Sequence, residues 1–153
     1  MDLSGKFTVN APREVVFKAL RDASSFVRFI EGGSDLKEID PTHYEAEFET
    51  KVAYMKFKFA VTVEVTRVEE PSEIESKVEG TPLGVVGRLT ARSITRLSDA
   101  GDETKVSYAI ESTLAGKLGS VGQPVLRAKA KEMEKQFALK LQAAFAPATL
   151  EVR

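Results

Sequence analysis

Apolar and polar residues alternate along the middle of the chain, and the alternation is cleanest between Phe57 and Val65. Phenylalanine and valine hold every second position there, and mostly polar residues lie between them. A period of two is typical of a strand with one buried face. Similar patterns predict further strands at residues 3–9, 36–39, 43–52, 74–78, 89–97 and 104–114. Because the connections between these strands are short, we expect an antiparallel sheet throughout.

Two short helices are predicted between the first and second strands. The first begins after Asn10-Ala11-Pro12, which combines a capping-type side chain with a proline suited to a first helical turn. Asp22–Ser25 ends this helix and caps the second one, which stops at Gly32-Gly33. Their apolar side chains recur at helical spacing: Val15, Val16, Ala19 and Leu20 in the first, and Phe26, Phe29 and Ile30 in the second.

A long amphipathic helix follows the last strand after a glycine-rich hinge, Gly116–Gly122. We expect it to open at Ser120, with Gln123 placed for a reciprocal capping box, and to end at Pro147. Its stripe can be buried only against the sheet, so the hinge glycines should set how closely the helix covers it. The stripe consists of Leu126, Ala130, Met133, Phe137, Leu141 and Ala144, and the other side carries Lys129, Lys131, Glu134, Lys135 and Lys140.

These elements predict an α+β fold in a single domain that covers residues 1–153. A strongly bent antiparallel sheet of about seven strands wraps around the long C-terminal helix, and the two short helices follow the first strand. The length of 153 residues suits one domain with one core. The sequence contains no internal repeat and no linker that would divide it.

Composition excludes several classes of function. The sequence has no cysteine, which excludes disulfides, thiol catalysis and thiolate metal sites. A net charge of -1 gives no reason to expect a nucleic-acid partner. The first residues lack the apolar stretch of a signal peptide, and no window reaches the roughly 20 apolar residues of a membrane span. We therefore expect a cytoplasmic protein and leave peripheral contact with a membrane open.

Catalytic chemistry is poorly represented. The single histidine, His43, lies beside a predicted turn and is expected at the surface. No serine has a base and an orienting group in a recognisable motif, and we expect no metal ion and no cofactor. Arg88 and Arg92 share one strand face and are the candidates for an ionisable group beside Tyr108, although a solvent-facing position is favoured. We therefore expect no enzymatic activity, with a cyclase-like cavity enzyme as the minor alternative.

The pattern offers an apolar surface for binding. The concave face of the sheet and the helix stripe enclose either a solid core or a ligand cavity, whose predicted lining is Phe57, Phe59, Val61, Val63, Leu89, Tyr108, Ile110, Leu114, Met133, Phe137 and Leu141. Tyr108 would supply a polar group for a ligand, and Met133 a flexible wall. The residues predicted to form a gate, or alternatively to cap the core, are Phe26, Phe29, Ile30, Leu83 and Val86.

Particular segments resemble known families. Asn10–Leu20, together with the order of elements, resembles the helix-grip superfamily of START-like and polyketide cyclase (SRPBCC) proteins, which includes the major birch pollen allergen, Bet v 1. A closer resemblance is to the carbon monoxide dehydrogenase G-subunit family. It is carried by Phe29–Gly33, by the glycine-rich run Gly80–Ala91 and by Gly116–Gly122, and it extends over about residues 2–146.

The resemblance implies a helix-grip fold with a hydrophobic cavity that holds a lipid or a quinone. It also implies a link to molybdenum hydroxylases of the carbon monoxide dehydrogenase type. The family often has Ile-Pro-Gly-Cys after the second helix, where this chain has Glu31 in place of the proline and Gly33 in place of the cysteine. Three hypotheses stay open: a non-enzymatic carrier, an accessory or recruitment subunit of such a hydroxylase, and a cyclase-like cavity enzyme.

Overall fold

The computed structural model describes residues 1–117 and 119–145, which form a seven-stranded sheet and three α-helices. The strands are β1 Asp2–Val9, β2 Gly33–Asp40, β3 His43–Val52, β4 Met55–Glu69, β5 Glu73–Pro82, β6 Gly87–Ala100 and β7 Glu103–Gly116. The helices are α1 Arg13–Arg21, α2 Ala23–Phe29 and α3 Gln123–Ala144. One 3-10 turn, Gly119–Val121, precedes α3.

The sheet is antiparallel at every pairing and has the order β1-β7-β6-β5-β4-β3-β2. Strands β2 to β7 follow one another as hairpins, and β1 adds to the free side of β7. The predicted order of elements and the α+β helix-grip class are therefore confirmed. Strand β5 continues to Pro82, which pairs with Phe59, so it ends four residues after the predicted strand at 74–78.

The two short helices begin differently. Helix α1 has Pro12 at its N-cap and no side-chain capping bond, so the predicted cap by Asn10 is absent. Helix α2 is capped as predicted, because a carboxylate oxygen of Asp22 accepts from the backbone N–H of Ser25 at 3.1 Å. The same carboxylate accepts from the hydroxyl of Ser24, and these bonds lower the pKa of Asp22.

Helix α3 begins three residues later than predicted. Its N-cap is Gly122, at φ 107°, and no side chain caps it. The predicted capping box is wrong because the hydroxyl of Ser120 instead donates to the carbonyl of Lys117 at 2.6 Å. Leu118 of the hinge and the predicted stop at Pro147 lie outside the described residues. Within residues 1–117 and 119–145, none of the helices combines the length and the apolar character needed to cross a bilayer.

Two core clusters anchor the ends of α3. Leu141 is fully buried in the first cluster, and Leu126 is buried in the second. Fifteen residues separate them, which is about 22 Å along a helix. The first cluster contains Val9, Ala11, Val16, Phe17, Leu20, Phe29, Ile74, Leu97, Val106 and Leu141; the second contains Val52, Phe57, Phe59 and Leu126. The middle of α3 thus spans the sheet between two fixed points.

Candidate ligand-binding cavity

A cavity of about 400 Å³ lies between the concave face of the sheet and the middle of α3. A water molecule takes up about 30 Å³ in the liquid, so the space is far larger than a packing defect. It falls in the range of roughly 300–1,000 Å³ that is usual for small-molecule sites. The sheet and α3 therefore close around a space rather than forming a solid core.

Short side chains on β5 and β6 create this space. Three successive inward-facing positions of β6 that line the cavity are Ala91, Ser93 and Thr95. On β5, Ser76 lies opposite Ser93 and also faces the cavity. The next inward position of β6, Leu97, is large and belongs to the first core cluster. The floor of the cavity is thus a patch of small residues, three of which carry hydroxyl groups.

Eight of the eleven predicted lining residues lie in the cavity wall: Phe59, Val63, Leu89, Tyr108, Ile110, Leu114, Met133 and Phe137. The other three require correction. Phe57 is 3% exposed and packs in the second core cluster, which Val61 also contacts. Leu141 is fully buried in the first cluster. Phe57 and Leu141 are buried in the clusters at the two ends of α3, and Val61 packs against the second cluster, so none of the three lines the cavity.

Of the five residues predicted to form a gate, some line the cavity and others do not. Phe26 and Ile30 line the cavity from α2 and the residue after it. Phe29 is buried in the first core cluster instead. Leu83 and Val86 lie on the loop between β5 and β6, are 50% and 85% exposed, and do not line the cavity. A gating role for these two residues stays a prediction, and the structure places them on an exposed loop outside the cavity wall.

An open depression of about 430 Å³, here called the vestibule, adjoins the cavity. It lies between the α2–β2 connection, the β3–β4 hairpin and α3. The residues that line both spaces are Glu31, Thr50, Lys129 and Met133. Gly32 lines the vestibule and has a positive φ of 87°. Its carbonyl accepts a hydrogen bond from the backbone N–H of Glu49 at 3.1 Å. We assign the vestibule as the mouth of the cavity.

Tyr108 and Glu134 form a polar group inside this apolar wall. Tyr108 projects from β7 over Gly5, its partner on β1, and its ring centre lies 6.4 Å from that of Phe7. Burial, followed by the charge and hydrogen bonding of Glu134, raises the pKa of Tyr108 to about 12. The phenol therefore keeps its proton at neutral pH and is available as a donor.

Glu134 and Lys129 were predicted on the solvent side of the helix, but both line the cavity. A sequence signal existed for Glu134, which comes four residues after Ala130 and three before Phe137, on the same helix face. Tyr44 was also missed. It lines the cavity from β3, and burial raises its pKa to about 12, partly offset by the charge of Arg21.

The two arginines considered as cavity residues lie elsewhere. Arg88 is exposed and its guanidinium is 3.1 Å from a carboxylate oxygen of Glu79, and Arg92 is also exposed. Neither lines the cavity. The ionisable group beside Tyr108, which the cyclase alternative requires, is Glu134 instead.

Solved structures with the same architecture come from several bacteria. A conserved protein from Geobacillus kaustophilus is 25% identical, with a TM-score of 0.87 and coverage of 95% of both chains. A protein from Chromobacterium violaceum is 17% identical, with a TM-score of 0.71 and coverage of 95% of this chain and 97% of the other. A START superfamily protein from Mycobacterium smegmatis is 12% identical, with a TM-score of 0.73 and coverage of 94% and 96%.

A comparison with curated proteins found no match. The model of the CoxG family, named for the G subunit of carbon monoxide dehydrogenase, matches residues 5–146. The match extends from β1 through the two short helices and the whole sheet to the end of α3, so it includes every element that encloses the cavity. The START-like neighbours agree with the same fold. The chain therefore belongs to the carbon monoxide dehydrogenase G-subunit (CoxG) family.

Proposed function

We propose that this chain is a non-enzymatic carrier for a hydrophobic small molecule, a lipid or a quinone, held between the sheet and α3. The observation that carries the proposal is the cavity of about 400 Å³, whose wall is mainly aliphatic and aromatic. An apolar guest would gain roughly 25 cal/mol for each Å² of apolar surface removed from water. Membership of a START-like family supports a ligand-binding or carrier-type role.

The arrangement of α3 supports the same proposal. The helix is anchored at Leu126 and Leu141, so the space beneath its middle persists without a guest. Met133 lies at both the cavity and the vestibule, where a flexible thioether side chain can adapt to the passage of ligands of different shape. We infer a cytoplasmic carrier with transient contact at a membrane surface, from which a lipid-soluble ligand would be taken.

Mass spectrometry tests the proposal directly. The gently purified protein should carry an apolar molecule, detected by native mass spectrometry and recovered unchanged by solvent extraction. The apolar dye N-phenyl-1-naphthylamine should bind the emptied protein and brighten. Ala91→Phe should weaken dye binding about tenfold or more because the ring fills the cavity floor, whereas Ala109→Phe, on the exposed face of β7, should not. Equal dye binding by both variants would contradict the proposal.

A role as accessory or recruitment subunit of a molybdenum hydroxylase is compatible with carriage. It is supported by the family, whose description names carbon monoxide dehydrogenase. A tagged chain expressed beside such an enzyme should retain hydroxylase subunits through purification. Loss of every hydroxylase subunit at low salt would count against this role and would leave the carrier proposal standing.

A cavity enzyme is the second candidate, and one observation favours it. Glu134 is an ionisable group beside Tyr108, and such a pair can transfer protons when a substrate lies against it. Incubating the extracted ligand with the protein separates the two functions. A carrier returns the ligand unchanged, whereas an enzyme yields a product whose formation Glu134→Gln abolishes.

A further inference from the structure

Glu134 presents an unusual acceptor to the cavity. Its Oε1 atom is buried and has no hydrogen-bond partner among residues 1–117 and 119–145. A buried polar atom without a partner costs free energy, and most such atoms in folded proteins find one. Glu134 belongs to the same helix face as Ala130 and Phe137, both of which line the cavity. Glu134 itself lines the cavity, so its carboxylate belongs to the wall of the site and not to the outer surface of α3.

The neighbouring hydroxyl of Tyr108 cannot satisfy the whole carboxylate. An ionised carboxylate has two oxygens with about four acceptor positions, and a phenol has one O–H to donate. Tyr108 keeps that proton at neutral pH, since its pKa is raised to about 12. The pair thus retains acceptor capacity after Tyr108 has donated. The surrounding wall is mainly apolar, which strengthens any hydrogen bond that a guest can supply.

We propose that the ligand is an apolar molecule with a hydroxyl or similar hydrogen-bond donor at one end, and that Glu134 accepts from this donor. The inference rests on the proposed carrier function and adds the polarity of the guest. A guest whose only polar atoms are acceptors would place its lone pairs against the carboxylate. For a quinone-type ligand, the reduced dihydroxy form carries the required donors and the oxidised form does not.

The test compares two probes of nearly equal shape, 1-naphthol and 1-methoxynaphthalene, by calorimetric titration of the full chain. The methyl ether lacks the donor. We expect the ratio of the two dissociation constants to favour 1-naphthol, and Glu134→Met, which keeps the length of the side chain, to reduce that ratio about tenfold or more. Glu134→Gln, which retains one acceptor oxygen, should give an intermediate ratio.

Glu103→Met is the matched control, because Glu103 is exposed on the β6–β7 hairpin and lines neither the cavity nor the vestibule. It should leave the ratio unchanged. If both probes bind and Glu134→Met leaves the ratio as it is in the unsubstituted chain, the inference is overturned while the carrier proposal stands. If neither probe binds the emptied protein, both are overturned. Circular dichroism of the variants checks that each one is folded.

Discussion

Tyr108 occupies space that exists only because its cross-strand partner, Gly5, has no side chain. A β-carbon built on Gly5 would lie 2.5 Å from the Tyr108 hydroxyl oxygen and 2.8 Å from the adjacent ring carbon. Real β-carbons do not approach other atoms so closely. Gly5 therefore allows the phenol to lie along β1, with its hydroxyl beside Glu134, and leaves the cavity open in front of it.

We predict that Gly5→Ala destabilises the protein by about 1–3 kcal/mol, because the added methyl group overpacks the site. The displaced ring should also enter the cavity and weaken the binding of 1-naphthol several-fold. Ser4→Ala, on the exposed face of the same strand, should change the free energy of unfolding by less than about 0.5 kcal/mol. Urea denaturation and calorimetry measure the two effects.

A double-mutant cycle isolates the contact between the two residues. Gly5→Ala in a Tyr108→Ala background should be much less destabilising than in the unsubstituted chain, because the ring that it strikes is gone. Additive effects of the two substitutions would show that the cost at Gly5 arises elsewhere, and the proposed role of this glycine would then be wrong.

The fold could be predicted from the sequence because strand alternation and helix capping are local patterns. The alternation from Phe57 to Val65 identifies the buried face of β4, and Asp22 identifies the start of α2. The start of α3 could not be predicted. Ser120 and Gln123 fit a capping box, but this box competes with the hydrogen bond from Ser120 to the Lys117 carbonyl. Which of the two forms depends on the tertiary position of the hinge.

The residues that line the cavity could be predicted only in part from the sequence. Periodicity shows which side of a strand is buried, and for that reason Phe59 and Phe57 were predicted together. Periodicity does not show where along the strand α3 makes contact. The position of that contact decides whether a buried residue lines the cavity or only packs in the core. Glu134 was missed because a charged residue was assigned to solvent by type, whereas its spacing from Phe137 places it on the inner face.

The anchoring of α3 gives a second prediction. Leu141 is fully buried, whereas Leu139, two residues earlier on the same helix, is 49% exposed. Leu141→Ala should cost about 2–5 kcal/mol of unfolding free energy, because it removes buried methyl groups and leaves a void. Leu139→Ala should cost less than about 1 kcal/mol. Chemical denaturation measures both, and equal costs would contradict the described packing of the helix.

The position of the mouth gives a third prediction. Met133 lies at both the cavity and the vestibule, whereas Val86 lies on a separate exposed loop. Met133→Trp should slow the association of N-phenyl-1-naphthylamine, because a larger side chain obstructs the passage from the vestibule into the cavity. Val86→Trp should leave the rate unchanged. Stopped-flow fluorescence measures these rates, and a slower rate for the second variant alone would place the mouth at the β5–β6 loop.

The cavity tyrosines predict a loss of stability in alkali. Burial raises the pKa of both Tyr44 and Tyr108 to about 12, above the ordinary value of 10.0. Between these values the folded protein holds protons that the unfolded chain has released, so stability falls as the pH rises from about 10 to 12. Tyr44→Phe and Tyr108→Phe should each make this fall less steep in urea denaturation.

Tyr54→Phe provides the control for the alkaline prediction, because Tyr54 lies at the tip of the β3–β4 hairpin and is 98% exposed. It should leave the slope of stability against pH as it is in the unsubstituted chain. Glu134→Gln should also lower the pKa of Tyr108, since the charge of Glu134 contributes to the raised value. Ultraviolet difference titration measures this change, and an unaltered tyrosine titration would show that the two groups do not interact.

The single histidine offers a clean probe of the β2–β3 hairpin. Nδ1 of His43 lies 2.9 Å from Oδ1 of Asp40, and Nε2 lies 3.7 Å from a carboxylate oxygen of Glu64. The hydrogen bond to Asp40, with the charges of Asp40 and Glu64, raises the pKa of His43 above 6.5. The hydrogen bond to His43 is the main cause that lowers the pKa of Asp40 from 3.8 to about 2.

The two shifts act at opposite ends of the pH scale. The stability that His43 contributes is complete below about pH 6.5 and is lost as the pH rises through its raised pKa in the folded state. The stability that Asp40 contributes is present above pH 3.8 and is lost as the pH falls toward 2. Both contributions therefore operate together between about pH 4 and pH 6.5, and both are small because the pair is exposed.

Titration of the His43 ring protons by nuclear magnetic resonance should give a pKa above 6.5, and Asp40→Asn should lower it. Glu103→Gln, exposed at the far β6–β7 hairpin, should leave it unchanged. A value at or below 6.5 in the unsubstituted chain, or no response to Asp40→Asn, would contradict the described geometry of the hairpin. Because His43 lies outside the cavity, ligand affinity should not change across the same titration.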